Sequence, residues 1–255
     1  MPRRLGYGEE ATLVEHLGEL RARIVVVLVT LVAGFAVAYV FRGHVLHWLN
    51  APLPHRLDKP VTFGVAEPFL TSMWVSLWAG LGLALPVVVW QFWAFFAPAL
   101  QPHYQRTMAL MVGLATLLAA GGILFGYFVA LPAAVRFLTT YDSAHYTILV
   151  RAKDYYSFCI QVLAAVAVVF ELPVVVLGLV QMRILSARRL RRQWRIGLAT
   201  CAVIAVALPG VDPVTTVLEM IPLFLLYGLS IVFATLLERS RARTAPSATP
   251  TGAES

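Results

Sequence analysis

Residues 24–41 read IVVVLVTLVAGFAVAYVF, a stretch of eighteen residues without a charged side chain. A helix needs about 20 apolar residues to cross the bilayer core, so this stretch has the length and composition of a membrane span. The whole chain has the same character, because 60% of its 255 residues are hydrophobic, 13% are charged and the mean hydropathy is +0.78. Its apolar runs are continuous and do not alternate with polar residues, which indicates transmembrane helices and not the strands of a membrane barrel.

Five more apolar runs follow this one and predict an all-α membrane protein with six transmembrane helices. The expected spans are residues 24–41, 72–90, 108–129, 156–180, 196–208 and 214–237. The fifth is too short to cross upright unless the bilayer thins locally. Pro86 should kink the second span, because proline removes a helical hydrogen bond. Before the membrane domain of residues 24–237 we expect a cytoplasmic amphipathic helix within 1–23. It should lie on the membrane surface before the chain turns into the membrane at the first span. After it we expect a disordered tail over 238–255.

Positive charge is distributed unevenly between the two sets of loops. With six spans, fourteen of the twenty Lys and Arg residues fall on the side of both termini, and six fall on the opposite side, in the polar loops 42–70 and 135–155. Positive residues collect in the cytoplasm, so both termini are expected there. We interpret the net charge of +7 as a signal of topology and not of nucleic-acid binding. The basic stretch 183–195 is expected to anchor the chain to anionic lipid.

Acidic residues at membrane depth are the main candidates for function. Glu19, at the edge of the first span, either pairs with Arg23 one turn away or offers a carboxylate to an external arginine, which can bind it through two parallel hydrogen bonds. Glu171 lies within the fourth span, where a charge costs about 3 kcal/mol or more. It is either a neutral carboxyl bonded to carbonyl groups that Pro173 frees, or a functional group that faces protein or water. Glu219 in the sixth span poses the same question.

Other polar residues carry weaker signals. Asp212 lies in a tight turn before a proline, where aspartate commonly serves the turn itself. Pro52 and Pro86 are interpreted as residues that shape the backbone. Cys159 and Cys201 lie inside apolar runs and predict no disulfide. The sequence contains no phosphate-binding loop, nucleophile elbow or metal-ligand cluster, so we expect no enzyme activity, no metal and no cofactor.

Several short motifs occur along the chain in a fixed order. They are His16–Arg23 (HLGELRAR), Ala51–Leu53 (APL), Glu67–Phe69 (EPF), Leu85–Pro86, Gln91–Leu100 (QFWAFFAPAL), Phe170–Pro173 (FELP) and Asp212–Pro213. No single motif is specific, but the set is, when it is combined with six spans and this topology. The chain resembles the TatC family, the multispanning receptor subunits of the twin-arginine protein translocase. The resemblance covers nearly the whole chain, up to about residue 237.

This resemblance implies a curved, glove-like bundle in the bacterial cytoplasmic membrane. Such a bundle would bind the Arg-Arg pair of signal peptides on folded cargo and support export driven by the proton gradient. TatA-type and TatB-type single-span subunits are the implied partners, and several copies of the chain are implied in one complex. The family's functional positions match Glu19, Arg21 and Phe95 for signal-peptide binding, Glu171 for the buried acid, and Pro52 and Asp212 for the external face.

The sequence departs from the family's usual pattern in the connector after the second span. The family usually has a second recognition glutamate there, but residues 101–106 read QPHYQR and Tyr104 stands at the expected place. The usual glutamate of the last span is replaced by Gly228. We therefore expect Glu19 to carry most of the recognition, with a cation–π contact at Tyr104 of about 0.5–1 kcal/mol. Two alternatives stay open, which are a proton-coupled transporter of a small solute built around Glu171 and a divergent scaffold of the translocase.

Overall fold

The computed structural model describes residues 13–54, 57, 59–96, 105–146, 148–182, 184–208 and 213–244. Most of these residues are helical. The helices are α1 (Leu13–Val40), α2 (Arg42–Asn50), α3 (Glu67–Phe96), α4 (Gln105–Phe125), α5 (Leu131–Thr140), α6 (Ala152–Phe170), α7 (Leu172–Gln181), α8 (Ala187–Arg192), α9 (Trp194–Ala207) and α10 (Pro213–Thr244). A π-helical turn, Gly126–Ala130, joins α4 to α5 without a loop. The all-α fold expected from the sequence is therefore confirmed for the residues that the structure describes.

Five helical segments are long and apolar enough to cross a membrane. They are Leu17–Val40, Glu67–Phe92, Leu110–Thr140, Ala152–Gln181 and Pro213–Arg239. The remaining expected span corresponds to α9, which has only fourteen residues. Helices thus occupy all six expected places, and the fifth is short, as its sequence predicted. The count of six crossings stays a prediction, because α9 does not reach the length of a full span.

The start of α1 corrects one expectation. The chain does not turn between a surface helix and the first span, because α1 runs unbroken from Leu13 to Val40. The physical reason is that residues 19–33 contain neither glycine nor proline, so nothing interrupts the helical hydrogen bonds there. Residues 1–12 of the expected amphipathic helix lie outside the described part of the chain.

Three further boundaries also differ from the sequence-based expectation. The polar loop expected from residue 135 begins only after Thr140, because the apolar face of α5 stays buried. The basic stretch contains the short helix α8, whose first turn is capped by the Ser186 side chain, which accepts from the Arg189 backbone N–H at 3.3 Å. The tail expected from residue 238 is helical as far as Thr244, since α10 continues past the apolar run. Residues 245–255 are not among those described.

The helices alternate in direction, which defines two ends of the bundle. We call the end with the start of α1, the end of α3, α8 and the end of α10 the Glu19 end. The opposite end, with α2, the start of α3, the end of α5 and the start of α6, is called the Glu67 end. A core of Leu49, Leu53, Leu131 and Tyr155 is buried at the Glu67 end, where the Tyr155 hydroxyl donates to the Leu49 carbonyl at 2.6 Å.

Helices α1 and α3 touch through their backbones at a pair of glycines. A Cβ added to Gly34 would lie 2.6 Å from the Gly80 carbonyl oxygen, and one added to Gly80 would lie 2.5 Å from the Phe35 nitrogen. Both positions therefore require glycine, since no real side chain fits at these distances. The rest of α1 is largely exposed, including Val29 and Val32. This contact is what places the start of α1 beside the end of α3.

Candidate functional site

Glu19 lies in a three-residue network at the Glu19 end. The Arg23 side chain donates to Glu19 Oε1 through Nε at 3.1 Å and again through Nη2. Its remaining nitrogen, Nη1, donates to Gln91 Oε1 at 3.1 Å. The side chains of Glu19 and Arg23 are 24% and 23% exposed. The network therefore joins α1 to α3 and stays partly accessible from outside the bundle.

The geometry of this network leaves one carboxylate oxygen outside it. Both hydrogen bonds from Arg23 end on Oε1 of Glu19, so Oε2 takes no part in the pair. The pairing of Glu19 with Arg23 that the sequence predicted is present, and it does not use the whole carboxylate. The bond from Arg23 to Gln91 was not predicted, because the two residues are 68 positions apart and no local spacing connects them.

The other residues proposed for peptide binding are placed as follows. Arg21 is exposed on α1. Phe95 lies on α3, half-buried, four residues after Gln91, and residues four apart share one face of a helix. Tyr104 lies outside the described residues. The structure thus brings Glu19 close to the last turns of α3, in the region of Phe95.

Glu171 lies at a break between two helices. α6 ends at Phe170 and α7 begins at Leu172, with Pro173 in the first turn of α7. The Glu171 backbone N–H donates to the carbonyls of Val168 and Val169. Glu171 Oε1 is buried and has no hydrogen-bond partner within the described part of the chain. The hydrogen bond to carbonyls freed by proline, which is one of the two interpretations of this carboxyl, is not made by Oε1 and stays a prediction for Oε2.

The remaining residues that the sequence singled out lie in different parts of the bundle and do not form one site. Glu219 is buried in α10, with 3% of its surface exposed. Pro86 lies inside α3, which continues on both sides of it. Pro52 lies in the turn after α2 and lines a cavity of about 340 Å³ at the Glu67 end, together with Arg136 of α5. Asp212, the other residue expected on the external face, is not among the described residues.

An ion pair at the Glu67 end was not predicted from the sequence. Arg151 donates to Glu67 through Nε, 2.9 Å from Oε1, and through Nη2, 3.3 Å from Oε2. Glu67 is only 7% exposed and also accepts from the backbone N–H groups of Phe63 and Gly64, at 3.1 and 3.3 Å. The hydrogen bonds to Glu67 raise the pKa of Arg151 above its ordinary value. A glutamate beside proline at the start of an apolar helix was the available signal, because a buried carboxylate needs a partner.

Two backbone hydrogen bonds support that ion pair. Val61 N–H donates to the Val150 carbonyl at 2.8 Å, and Ala152 N–H donates to the Val61 carbonyl at 2.8 Å. This short β-bridge aligns the segment before α3 with the segment before α6. The ion pair and the bridge therefore stabilise the loops at the Glu67 end, and this arrangement is unlike an open binding site.

Comparison with known proteins supports the resemblance seen in the motifs. Residues 15–222 match the family model described as Sec-independent protein translocase protein (TatC). A TatC protein of Deinococcus radiodurans is 33% identical over 252 residues, covering 92% of each chain. One from Magnetococcus marinus is 34% identical over 239 residues, covering 92% of this chain and 88% of the relative. The TatCd protein of Bacillus subtilis is 30% identical over 236 residues, covering 92% and 96%.

Two solved structures have the same fold. A crystal structure of the twin-arginine translocase receptor TatC superposes with a TM-score of 0.73 at 31% identity, covering 88% of this chain and all of that one. A second, of TatC in the detergent DDM, superposes with a TM-score of 0.74 at 30% identity, covering 86% and 99%. The resemblance predicted from the motifs is confirmed, and the chain belongs to the TatC family of Sec-independent protein translocase proteins.

Proposed function

We propose that the chain is the core membrane subunit of a twin-arginine translocase, which binds the Arg-Arg pair of signal peptides and supports export of folded proteins driven by the proton gradient. The observation that carries this proposal is the exposure and hydrogen bonding of the Glu19 carboxylate. It is a partly exposed carboxylate at one end of the bundle, and its Oε2 lies outside the bonds that Arg23 makes. A carboxylate in this setting can accept a guanidinium through charge-assisted hydrogen bonds. The chain acts here as a receptor and makes no covalent change.

Arg21, Phe95 and Tyr104 complete the proposed peptide site. Phe95 is supported by its position one turn after Gln91, on the helix that contacts Arg23. An aromatic ring there can pack on the apolar part of a signal peptide or on the flat face of a guanidinium. Arg21 and Tyr104 are assigned from the family resemblance alone.

We propose six crossings of a bacterial cytoplasmic membrane, with both termini in the cytoplasm. The distribution of Lys and Arg supports this orientation. α9 is the proposed fifth crossing. Its fourteen residues extend only about 21 Å at 1.5 Å per residue, so the bilayer must thin around it. The curved, glove-like shape implied by the resemblance belongs to the same proposal.

TatA-type and TatB-type single-span subunits, further copies of the chain and anionic lipid are the proposed partners. α1 exposes an apolar surface that includes Leu28, Val29 and Val32, which suits a neighbouring single-span helix as well as lipid. The arginines of residues 188–195 are exposed on and after α8, and such a basic surface attracts anionic headgroups. No nucleic-acid partner is proposed.

A proton-coupled transporter of a small solute is the second candidate function. The observation that favours it is the buried Oε1 of Glu171 at the break between α6 and α7, because ionisable groups inside membranes often mark proton or ion pathways. A scaffold that lacks receptor activity is the third candidate. It is supported only by the missing acid in the 101–106 connector.

A photo-reactive Arg-Arg signal peptide tests the receptor proposal on the full chain, in membranes with its partner subunits. We expect labelling near Glu19 that disappears with a Lys-Lys peptide and in Glu19→Gln. Asp154→Asn is the matched control, because it neutralises an exposed acid at the Glu67 end and should leave labelling unchanged. Equal labelling by both peptides, or none, contradicts the receptor and favours the transporter or the scaffold.

A further inference from the structure

We propose that a groove beside α9 holds one acyl chain of an anionic phospholipid, whose headgroup binds Arg189 at the mouth of the groove. The lipid belongs to the leaflet at the Glu19 end. Unlike a general attraction of headgroups to the basic surface, such a site holds one lipid molecule in one place, against one arginine. The inference rests on the proposed crossing of the membrane by α9 and does not depend on peptide recognition.

The first argument is the shape of the groove, a cavity of about 210 Å³ between α7, α8, α9 and α10. Three of its lining residues, Ile196, Thr200 and Ile204, follow each other at intervals of four and form one stripe along α9. At 1.5 Å per residue this stripe is about 12 Å long. The groove therefore runs from the start of α9 at the Glu19 end into the depth of the membrane, which is the direction of a lipid chain.

The second argument is the chemistry of its inner wall. The Thr200 hydroxyl donates to the Ile196 carbonyl at 3.0 Å, and the Tyr227 hydroxyl donates to the Leu190 carbonyl at 3.2 Å. Both hydroxyls are therefore engaged, and aliphatic side chains such as Leu172 complete this part of the wall. A buried water molecule needs about two to four polar partners, so the inner part suits a hydrocarbon chain and not water. Acyl chains are the apolar material that surrounds membrane helices at this depth.

The third argument is the charge at the mouth of the groove. Arg189 and Gln193 line the mouth and are exposed, and their side chains make no hydrogen bond or ion pair with the other residues that the structure describes. A guanidinium and an amide NH₂ group can both donate to the oxygens of a phosphate. Basic pockets between membrane helices bind anionic headgroups in this way.

The two parts of the site have separate effects on binding. Anionic and zwitterionic phospholipids have the same kinds of acyl chain, so the groove holds the chain without selecting the headgroup. Among the exposed arginines of residues 188–195, Arg189 is the one that lines the groove, so a lipid held there meets this charge first. Arg189 therefore sets the preference for a negative headgroup, and the groove sets the affinity for both kinds of lipid.

The test compares binding of phosphatidylglycerol and of phosphatidylcholine with the same acyl chains to the full chain in detergent, followed by native mass spectrometry over a lipid titration. We expect the wild-type chain to bind phosphatidylglycerol about fivefold more tightly, the effect of one arginine near anionic lipid. Arg189→Gln should remove this preference. Arg192→Gln, which removes an equal charge from the same short helix without lining the groove, should keep it. Equal losses in both variants would show attraction to the basic surface as a whole and overturn the inference.

A second pair of variants tests the groove itself. Thr200→Phe places a ring in the groove, whereas Val203→Phe places the same ring on an exposed part of α9 that does not line it. We expect Thr200→Phe to weaken binding of both lipids several-fold and Val203→Phe to leave it unchanged. Wild-type binding in Thr200→Phe would show that no chain occupies the groove and would overturn the inference. Thr200→Leu is the smaller variant if Thr200→Phe does not fold.

Failure of this inference is distinguishable from failure of the proposals on which it rests. No signal peptide is present, so the receptor role is not tested here. Val203→Cys, treated in membranes with an impermeant maleimide, checks the crossing by α9, and we expect protection because Val203 then faces lipid; the native thiols of Cys159 and Cys201 are buried. Labelling would contradict the crossing and the lipid site together. Protection, with equal lipid preferences in the wild-type chain and Arg189→Gln, would overturn the lipid site alone.

Discussion

Arg151 binds Glu67 through both carboxylate oxygens, with Nε 2.9 Å from Oε1 and Nη2 3.3 Å from Oε2. Glu67 is the first residue of α3, and Arg151 immediately precedes α6, so the pair joins the starts of two membrane helices. Glu67 is buried, whereas the Arg151 side chain is 43% exposed. Removing Arg151 should therefore cost more stability than removing Glu67, because the residue left without its partner is buried in the first case and exposed in the second.

This asymmetry gives the first prediction. Arg151→Gln leaves a buried carboxylate with only backbone donors, whereas Glu67→Gln leaves a guanidinium that water can reach. We expect Arg151→Gln to lower the free energy of unfolding by about 2–4 kcal/mol and Glu67→Gln by about 1–2 kcal/mol. Thermal unfolding in detergent measures both. A larger loss in Glu67→Gln would contradict the burial argument. Lys153→Gln, at an exposed neighbour, serves as the control.

The second prediction concerns the contact between α9 and α10. The Tyr227 ring passes directly over Gly197, where a Cβ would overlap it, and the Tyr227 hydroxyl donates to the Leu190 carbonyl at 3.2 Å. We expect Gly197→Ala to destabilise the protein by about 2–3 kcal/mol through overpacking.

Two comparisons make that prediction specific. Gly228→Ala is the matched control, because a Cβ at Gly228 meets nothing within 4 Å, and it should be neutral or slightly stabilising. In a Tyr227→Ala background, Gly197→Ala should lose most of its effect, since the ring it would meet is gone. Equal effects of Gly197→Ala in both backgrounds would show that the ring is not the cause.

The third prediction concerns the glycine contact between α1 and α3. A Cβ on Gly80 would meet the backbone of α1, which cannot move aside as a flexible side chain can. We expect Gly80→Ala to separate the two helices and cost about 2–3 kcal/mol, measured by thermal unfolding. Gly82→Ala, two residues along the same helix in open space, should leave the unfolding midpoint unchanged. Comparable loss in both variants would show that the contact with α1 is not the cause.

The fourth prediction concerns the buried oxygen of Glu171. Because Oε1 has no hydrogen-bond partner within the described residues, Glu171→Leu should raise the free energy of unfolding by about 1 kcal/mol. Tyr155→Phe provides the contrast, since it removes the hydrogen bond from the Tyr155 hydroxyl to the Leu49 carbonyl and should lower stability by about 1 kcal/mol. A stabilised Glu171→Leu chain that no longer exports a folded reporter would mark this carboxyl as functional. A destabilised one would show that the carboxyl has a partner.

The fifth prediction follows from the connector sequence. In the peptide site that we propose, Tyr104 is the position where the resemblance implies a second glutamate, so Tyr104→Glu would supply a carboxylate for the second peptide arginine. We expect the affinity for an Arg-Arg signal peptide to rise about tenfold, with little change for a Lys-Lys peptide. Tyr104→Gln is the uncharged control. An unchanged affinity in Tyr104→Glu would show that this position does not reach the peptide.

Apolar run length was enough to predict where the helices lie, because a span must satisfy its own backbone hydrogen bonds in lipid. It was not enough to predict where helices end. The third span continues from α4 through the π-helical turn into α5 and ends at Thr140, and α10 continues to Thr244 through charged residues. The hydropathy of the runs reveals neither end.

Contacts between segments that are distant in the sequence could not be predicted from it either. Glu19 and Arg23 were predicted as a pair because four residues separate them on one helix. The bonds from Arg23 to Gln91 and from Arg151 to Glu67 span 68 and 84 residues. Which loops and helix ends meet is set by the packing of whole helices, and a single sequence does not show that packing.

The meeting of Gly34 and Gly80 has a consequence for the contact between Arg23 and Gln91. Arg23 lies eleven residues before Gly34, and Gln91 lies eleven residues after Gly80, about three helical turns in each case. Because α1 and α3 are antiparallel and meet at these two glycines, the equal spacing places the Arg23 guanidinium and the Gln91 amide at the same level along the two helices. A mutation at either glycine would shift this alignment and so weaken the hydrogen bond between Arg23 and Gln91, although the glycines lie about three helical turns from it.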